Sequence, residues 1–194
     1  MRMNTQTRHV IAAAVAIGTL LAGARAMAQA PPVTFSATAT AKTADGRGGS
    51  LPVTIRIDRF VSDAEREAVL AVVKAHQPGA TLKALVGKPD IGYIQLGDRR
   101  TPIKFAYARS TGDGRLITVV TAQPAYFLSD PKATTPKPKE GFELALGLLV
   151  LDGRDTGEGE LAPAAKIRMD DKGAIVTEEY GSEVVRLVKI TKAK

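Results

Sequence analysis

The stretch IGYIQLGDRRTPIKFAYARSTGDGRLITVVTA, from Ile91 to Ala122, decides how the rest of the chain is read. Three apolar-rich runs, Ile91–Leu96, Pro102–Ser110 and Arg115–Ala122, are separated by Gly97-Asp98 and by Gly112-Asp113-Gly114. β-Branched and aromatic residues suit a pleated, half-buried surface, and Gly-Asp and Asp-Gly pairs reach the positive φ that tight hairpins need. The stretch predicts a three-stranded antiparallel meander.

Upstream, Val33–Lys42 alternates Val33, Phe35, Ala37 and Ala39 with Thr34, Ser36, Thr38 and Thr40, as a half-buried strand does. Asp45-Gly46-Arg47-Gly48-Gly49 reads as a turn into a second strand, Leu51–Phe60, with Val53, Ile55 and Ile57 inward, so the two pair as a hairpin. Ser62-Asp63-Ala64-Glu65 is a capping box that opens a helix over about 62–76. Val69, Val72, Val73 and His76 form its expected buried stripe, and Gln77-Pro78-Gly79 stops it. Thr81 is the expected cap of a shorter helix, about 81–87, with Gly87 as a left-handed terminator.

Downstream, about 124–141 is a Pro- and Lys-rich loop. Glu143–Leu151 is apolar on both faces, which predicts a central strand. Three more strands are expected at about Gly159–Asp170, Ala174–Glu179 and Glu183–Lys192, the first two joined by Asp170-Asp171-Lys172-Gly173. The sum is an α+β fold: a large antiparallel sheet of about eight to nine strands with one helical pair packed on it. Curling the sheet into a barrel would remove its unpaired edges.

Residues 1–30 have the three parts of a cleaved signal peptide. Arg2 and Arg8 give a basic start, Val10–Ala22 an apolar run, and Ala26-Met27-Ala28 and Ala28-Gln29-Ala30 small residues at cleavage spacing. The run is shorter than the roughly 20 residues of a spanning helix, and Arg25 ends it. The expectation is a periplasmic or secreted product, 31–194, forming one globular domain with no transmembrane span after cleavage.

Three of the 27 basic side chains and none of the 20 acidic ones lie in that segment, which leaves a net charge of +4 beyond it. That excess falls short of a nucleic-acid footprint, although it permits weak contact with anionic surfaces. The absence of cysteine excludes disulfides, thiol catalysis and N-terminal lipid attachment. With no Trp and few aromatics, a stacking platform is poorly supported. No cofactor is expected.

The segments Gly92-Tyr93-Ile94, Tyr107-Ala108-Arg109-Ser110, Gly157-Glu158-Gly159-Glu160-Leu161 and Ala164-Ala165-Lys166-Ile167 resemble a group of small exported bacterial proteins without an assigned activity. The resemblance spans most of the mature chain. It implies export and one domain, and carries no activity with it.

Candidate chemistry is sparse. His76 is the one imidazole beyond the leader, and its place on the helix stripe favours packing over catalysis. Asp152, Asp155, Glu158 and Glu160 offer four carboxylates in a Gly-rich loop, a weak calcium candidate whose order does not fit an EF-hand. Tyr107 and Arg109 share alternation with Ile103 and Phe105, and Arg115 opens the adjacent strand. Together these three would suit the carboxylate or phosphate head of an amphipathic ligand. The bland alternative is that the arginines snorkel at the sheet's end and pair with Asp113 or another carboxylate.

The leading expectation is a non-enzymatic exported binding protein for an apolar or amphipathic small molecule or a protein partner. A structural adaptor of the cell envelope comes second, and a carboxylate-based hydrolase third. An interior cavity would favour a small ligand; a packed interior with an exposed apolar patch would favour the adaptor.

Overall fold

The computed structural model describes residues 31–42, 48–75, 79–125, 140–169, 175–179 and 185–193. Nine strands and two helices alternate along them: β1 (Val33–Lys42), β2 (Gly48–Ile57), α1 (Asp63–Lys74), α2 (Ala80–Val86), β3 (Gly92–Leu96), β4 (Arg99–Thr111), β5 (Gly114–Thr121), β6 (Leu144–Leu151), β7 (Thr156–Met169), β8 (Ile175–Glu179) and β9 (Val185–Lys192). Residues 1–30, read above as a signal peptide, His76, most of the Pro-Lys loop and the expected turn at Asp170–Gly173 lie outside the described residues.

Strands β1 to β7 pair with their neighbours in chain order, antiparallel throughout, apart from the helical excursion between β2 and β3. β9 then pairs with both β7 and β1, which closes eight strands into a barrel. Closure satisfies backbone groups that an open sheet would leave at its edges. β8 extends the line of β9. On one side of β7, Ala165 faces Leu144 and Leu161 faces Gly147, both of β6; on the other side they face Glu179 of β8 and Val185 of β9.

Cross-strand partners share a face, so the register identifies the lumen. The row Ile117, Leu149, Gly159, Leu187, Ala39 runs through five strands and points inward. Phe35, Ile103, Ile117, Leu149, Leu187 and Ile190 are fully buried there. An eight-stranded barrel is narrow enough for side chains to fill. Gly147 sits where there is no room for more: an added Cβ would lie 2.7 Å from Val119 Cγ2.

A bulge in β4 changes which side chains look inward. Thr101 and Ile103 face the lumen, but the register shifts between Ile103 and Phe105, and beyond it Ala106 and Ala108 pair with Val119 and Ile117. Phe105 is thereby turned outward and continues across the wall as Val120, Leu146 and Ala162. Phe105, Val120 and Leu146 are nevertheless buried. α1 passes close to β7 and α2 to β4, and Val69, Val73 and Leu85 join the same apolar cluster, so the helical pair covers this row.

Several local expectations change. The buried stripe of α1 is Val69, Leu70 and Val73, with Val72 half-buried. Gly79, at φ 70°, is the left-handed residue and precedes α2, whereas Gly87 is right-handed. The helix thus starts one residue before Thr81. β6 is not buried on both faces along its length: Val150 is 59% exposed, because the helices cover only the Leu144–Leu146 end of its outer side.

The α1 start is held as its sequence indicates. Ser62 Oγ accepts from the Glu65 backbone N–H, and the Glu65 carboxylate accepts from Ser62 N–H at 2.8 Å. Arg59 adds a two-pronged pair to that carboxylate at 3.0 and 3.1 Å. Hydrogen bonds from Arg59 and then from the Ser62 backbone lower the Glu65 pKa to about 2.

Two outcomes test this architecture. Leu149→Ala should cost about 2–5 kcal/mol in urea unfolding, whereas Val150→Ala should stay within about 0.5 kcal/mol; equal costs would contradict the inward–outward assignment. Glu65→Gln should lower stability at neutral pH. Because the folded-state pKa is depressed, the gap to the native chain should be constant above the unfolded value of 4.5 and close as pH falls through about 2. Urea midpoints across that range check it.

Candidate functional site

The three residues expected to form a head-group site are not brought together. Past the β4 bulge, Tyr107 and Arg109 pair with Thr118 and Leu116 on the outer face, while Arg115 pairs with Ser110 and Leu151 on the lumen face. One unpaired residue in a strand reverses the side-chain alternation beyond it, which is why parity counted from Ile103 fails at Tyr107. The adjacent apolar pair Phe105-Ala106, both buried, was the readable sign of that reversal.

Tyr107 serves the helix instead. Its hydroxyl donates to Asp63 Oδ1 at 2.9 Å, and Arg66 lies 4.9 Å from its ring centroid. The bond to the Asp63 carboxylate, with some desolvation, holds the phenol above its ordinary pKa. These contacts tie the first turn of α1 to β4. Arg109 is exposed.

Arg115 occupies one mouth of the barrel. Its Cζ stands 5.7 Å from the centroid of Phe35, whose side chain is fully buried in the lumen. Nη2 meets Asp155 Oδ1 at 2.7 Å, and Lys192 Nζ reaches Asp155 Oδ2 at 3.4 Å. The Arg115 and Asp155 side chains are 29% and 22% exposed, so this pair is screened less than an open surface pair. The partner is thus a carboxylate from the next hairpin but one, not Asp113 of its own turn.

Asp155 is aimed by the turn between β6 and β7. Asp152 accepts from the backbone N–H groups of Arg154 and Thr156 and from the Thr156 hydroxyl, at 2.8–2.9 Å. The Thr156 backbone contact is the first cause holding the Asp152 carboxyl below its ordinary pKa. Asp155 follows at φ 60°. The turn lies hard against the β4–β5 turn: a Cβ on Gly153 would be 2.8 Å from the Asp113 carbonyl oxygen.

This arrangement dismantles the calcium candidate. Asp152 is spent on its own turn, Asp155 on Arg115 and Lys192, and Glu158 and Glu160 point outward beside Val150 and Leu148. Among the described residues, no three Asp, Glu or His side chains converge in a way that could hold a metal ion.

A second feature lies on the outside. Between α1 and α2 runs a groove of about 470 Å³, lined by Ala71, Val72, Ala75, Ala80, Lys83 and Ala84. None of these six is buried. The spacing of Ala64, Ala68, Ala71 and Ala75, on the side of α1 away from Val69 and Val73, was legible in the chain as a small-residue face. Its pairing with Ala80 and Ala84 required the helical hairpin.

Arg115→Ala should destabilise the fold by about 1 kcal/mol or more through loss of its partly buried ion pair with Asp155. Arg109→Ala should change it by no more than about 0.5 kcal/mol. Paired urea denaturations check the contrast, and equal effects would contradict the opposite facing of the two arginines.

Comparison of the chain with protein families, curated proteins and solved structures finds no match.

Proposed function

We propose that this chain is an exported, non-enzymatic binding protein that engages a protein partner through its outer surface, with the α1–α2 groove as an anchor point. The carrying observation is the contrast between the fully buried side chains in the middle of the lumen and the apolar groove outside it. A small apolar ligand needs a cavity that takes most of its surface out of water. The fully buried lumen residues weigh against one inside, and six unburied lining residues leave a small molecule in the groove largely wet. A protein surface does not have this difficulty, because it can cover the groove and its rim together. Small alanines also let a partner's backbone or apolar side chain approach closely.

The non-enzymatic part of the reading is supported by how the candidate groups are used. Tyr107, Arg115, Asp152 and Asp155 are each engaged in holding two elements together. Export rests on the charge and apolar pattern of residues 1–30, with periplasm or medium as the destination. No helix among the described residues is long and apolar enough to cross a membrane.

The test compares the mature chain, 31–194, with an Ala71→Glu/Ala84→Glu variant, each recovered gently from its export compartment. A protein that accompanies the native chain and falls at least tenfold with the variant, at an unchanged unfolding midpoint, supports the reading. A discrete small-molecule mass released on denaturation, with no groove-dependent protein, overturns it.

A further inference from the structure

The Arg115 mouth contains a mismatch that its structural role leaves unexplained. Two cations share one carboxylate: Asp155 gives Oδ1 to Arg115 Nη2 and turns Oδ2 to Lys192. The guanidinium is a planar fork suited to two parallel bonds from one oxyanion, yet only one edge atom is used here. Arg115 Nε is buried with no hydrogen-bond partner. A buried donor without an acceptor is costly, and it is costlier still on a charged group.

Asp155 is held by geometry that prevents it from doing better. Its backbone N–H donates to Asp152 O at 3.1 Å, and Asp152 N–H donates to Thr156 O at 2.8 Å, so the residue is pinned inside a tight hairpin end. Its φ of 60° is a conformation that side-chain-bearing residues adopt at a cost. Among the described residues only Lys189 shares this property, at φ 54°, and it lies on β9 three residues before Lys192.

We propose that this mouth is a site for a small oxyanion, a carboxylate or phosphate group, which Asp155 occupies from within the chain. A free oxyanion is not tethered to the hairpin. It can set two oxygens across Nε and Nη2 of Arg115, and a phosphate can turn a third toward Lys192, whose side chain is half exposed. Phe35 beneath the guanidinium is fully buried, so the ligand is small or offers its anionic end. Asp155 acts as an internal competitor: its hairpin must move aside before an external anion engages Nε. This site is separate from the helical groove and does not depend on a partner binding there.

The experiment uses inorganic phosphate as the probe on the mature chain, with chloride at equal ionic strength as the reference. Asp155→Gly removes the competing carboxylate and relieves the left-handed backbone, so the fold is not expected to suffer doubly. Asp155→Asn, which tolerates the same φ, is the second variant should glycine loosen the turn. Titration calorimetry and amide shifts at Phe35, Leu151 and Lys192 are the readouts. The expected result is phosphate binding at least tenfold tighter in Asp155→Gly or Asp155→Asn than in the native chain, abolished when Arg115→Met is added. Equal affinity in native and Asp155 variants, or binding that survives Arg115→Met, overturns the proposal.

Discussion

The structure depends on β9 lying between β1 and β7. Without those two ladders the sheet would present β1 and β7 as long free edges, each with a row of unsatisfied N–H and C=O groups. With them, the first and last strands among the described residues are joined, and the apolar faces of eight strands enclose a single lumen. The register makes Leu187 and Ile190 of β9 core residues alongside Phe35 and Ala39 of β1, so apolar packing and backbone pairing reinforce one closure. Contacts this distant in sequence form only after a large loss of chain entropy. Their stability therefore comes from cooperation around the whole ring.

Closure around so small a ring has a packing consequence. The inward row of Ile117, Leu149, Leu187 and Ala39 is fully buried, so the middle of the barrel is a packed apolar core. On the wall, the β4 bulge turns Phe105 outward and gives the helical pair an apolar row to cover, and the same bulge sends Tyr107 to the start of α1. One extra residue thus both docks the helices and separates Tyr107 from Arg115.

At the rim the deciding element is the β6–β7 turn. Asp152 folds it through three hydrogen bonds, and Asp155 projects from it onto Arg115 and Lys192, which start and end strands far apart in the chain. The Arg115 guanidinium of that group stands 5.7 Å from the centroid of the Phe35 ring, at the edge of the apolar lumen. The pairing is asymmetric, since one carboxylate serves two cations and leaves a guanidinium nitrogen unused. That asymmetry is an electrostatic property of the assembled mouth and belongs to no single strand.

The sequence by itself determined the local pieces of this protein. Alternation placed β1, β2 and β6 within a few residues of their observed bounds, Gly97-Asp98 and Gly112-Asp113-Gly114 marked two hairpins, and Ser62 with Glu65 marked the start of α1. These signals are short-range: each reflects what a few neighbouring side chains permit the backbone to do. Only the tertiary structure decided which faces became interior beyond the bulge, that Arg115 looks in while Arg109 looks out, and that Asp155 reaches Lys192. A bulge is set by the fit of one strand against its partner, and an ion pair across a barrel mouth is set by how many strands close and with what tilt. Neither quantity is carried by residues adjacent in the chain, and so the scaffold was legible where the site was not.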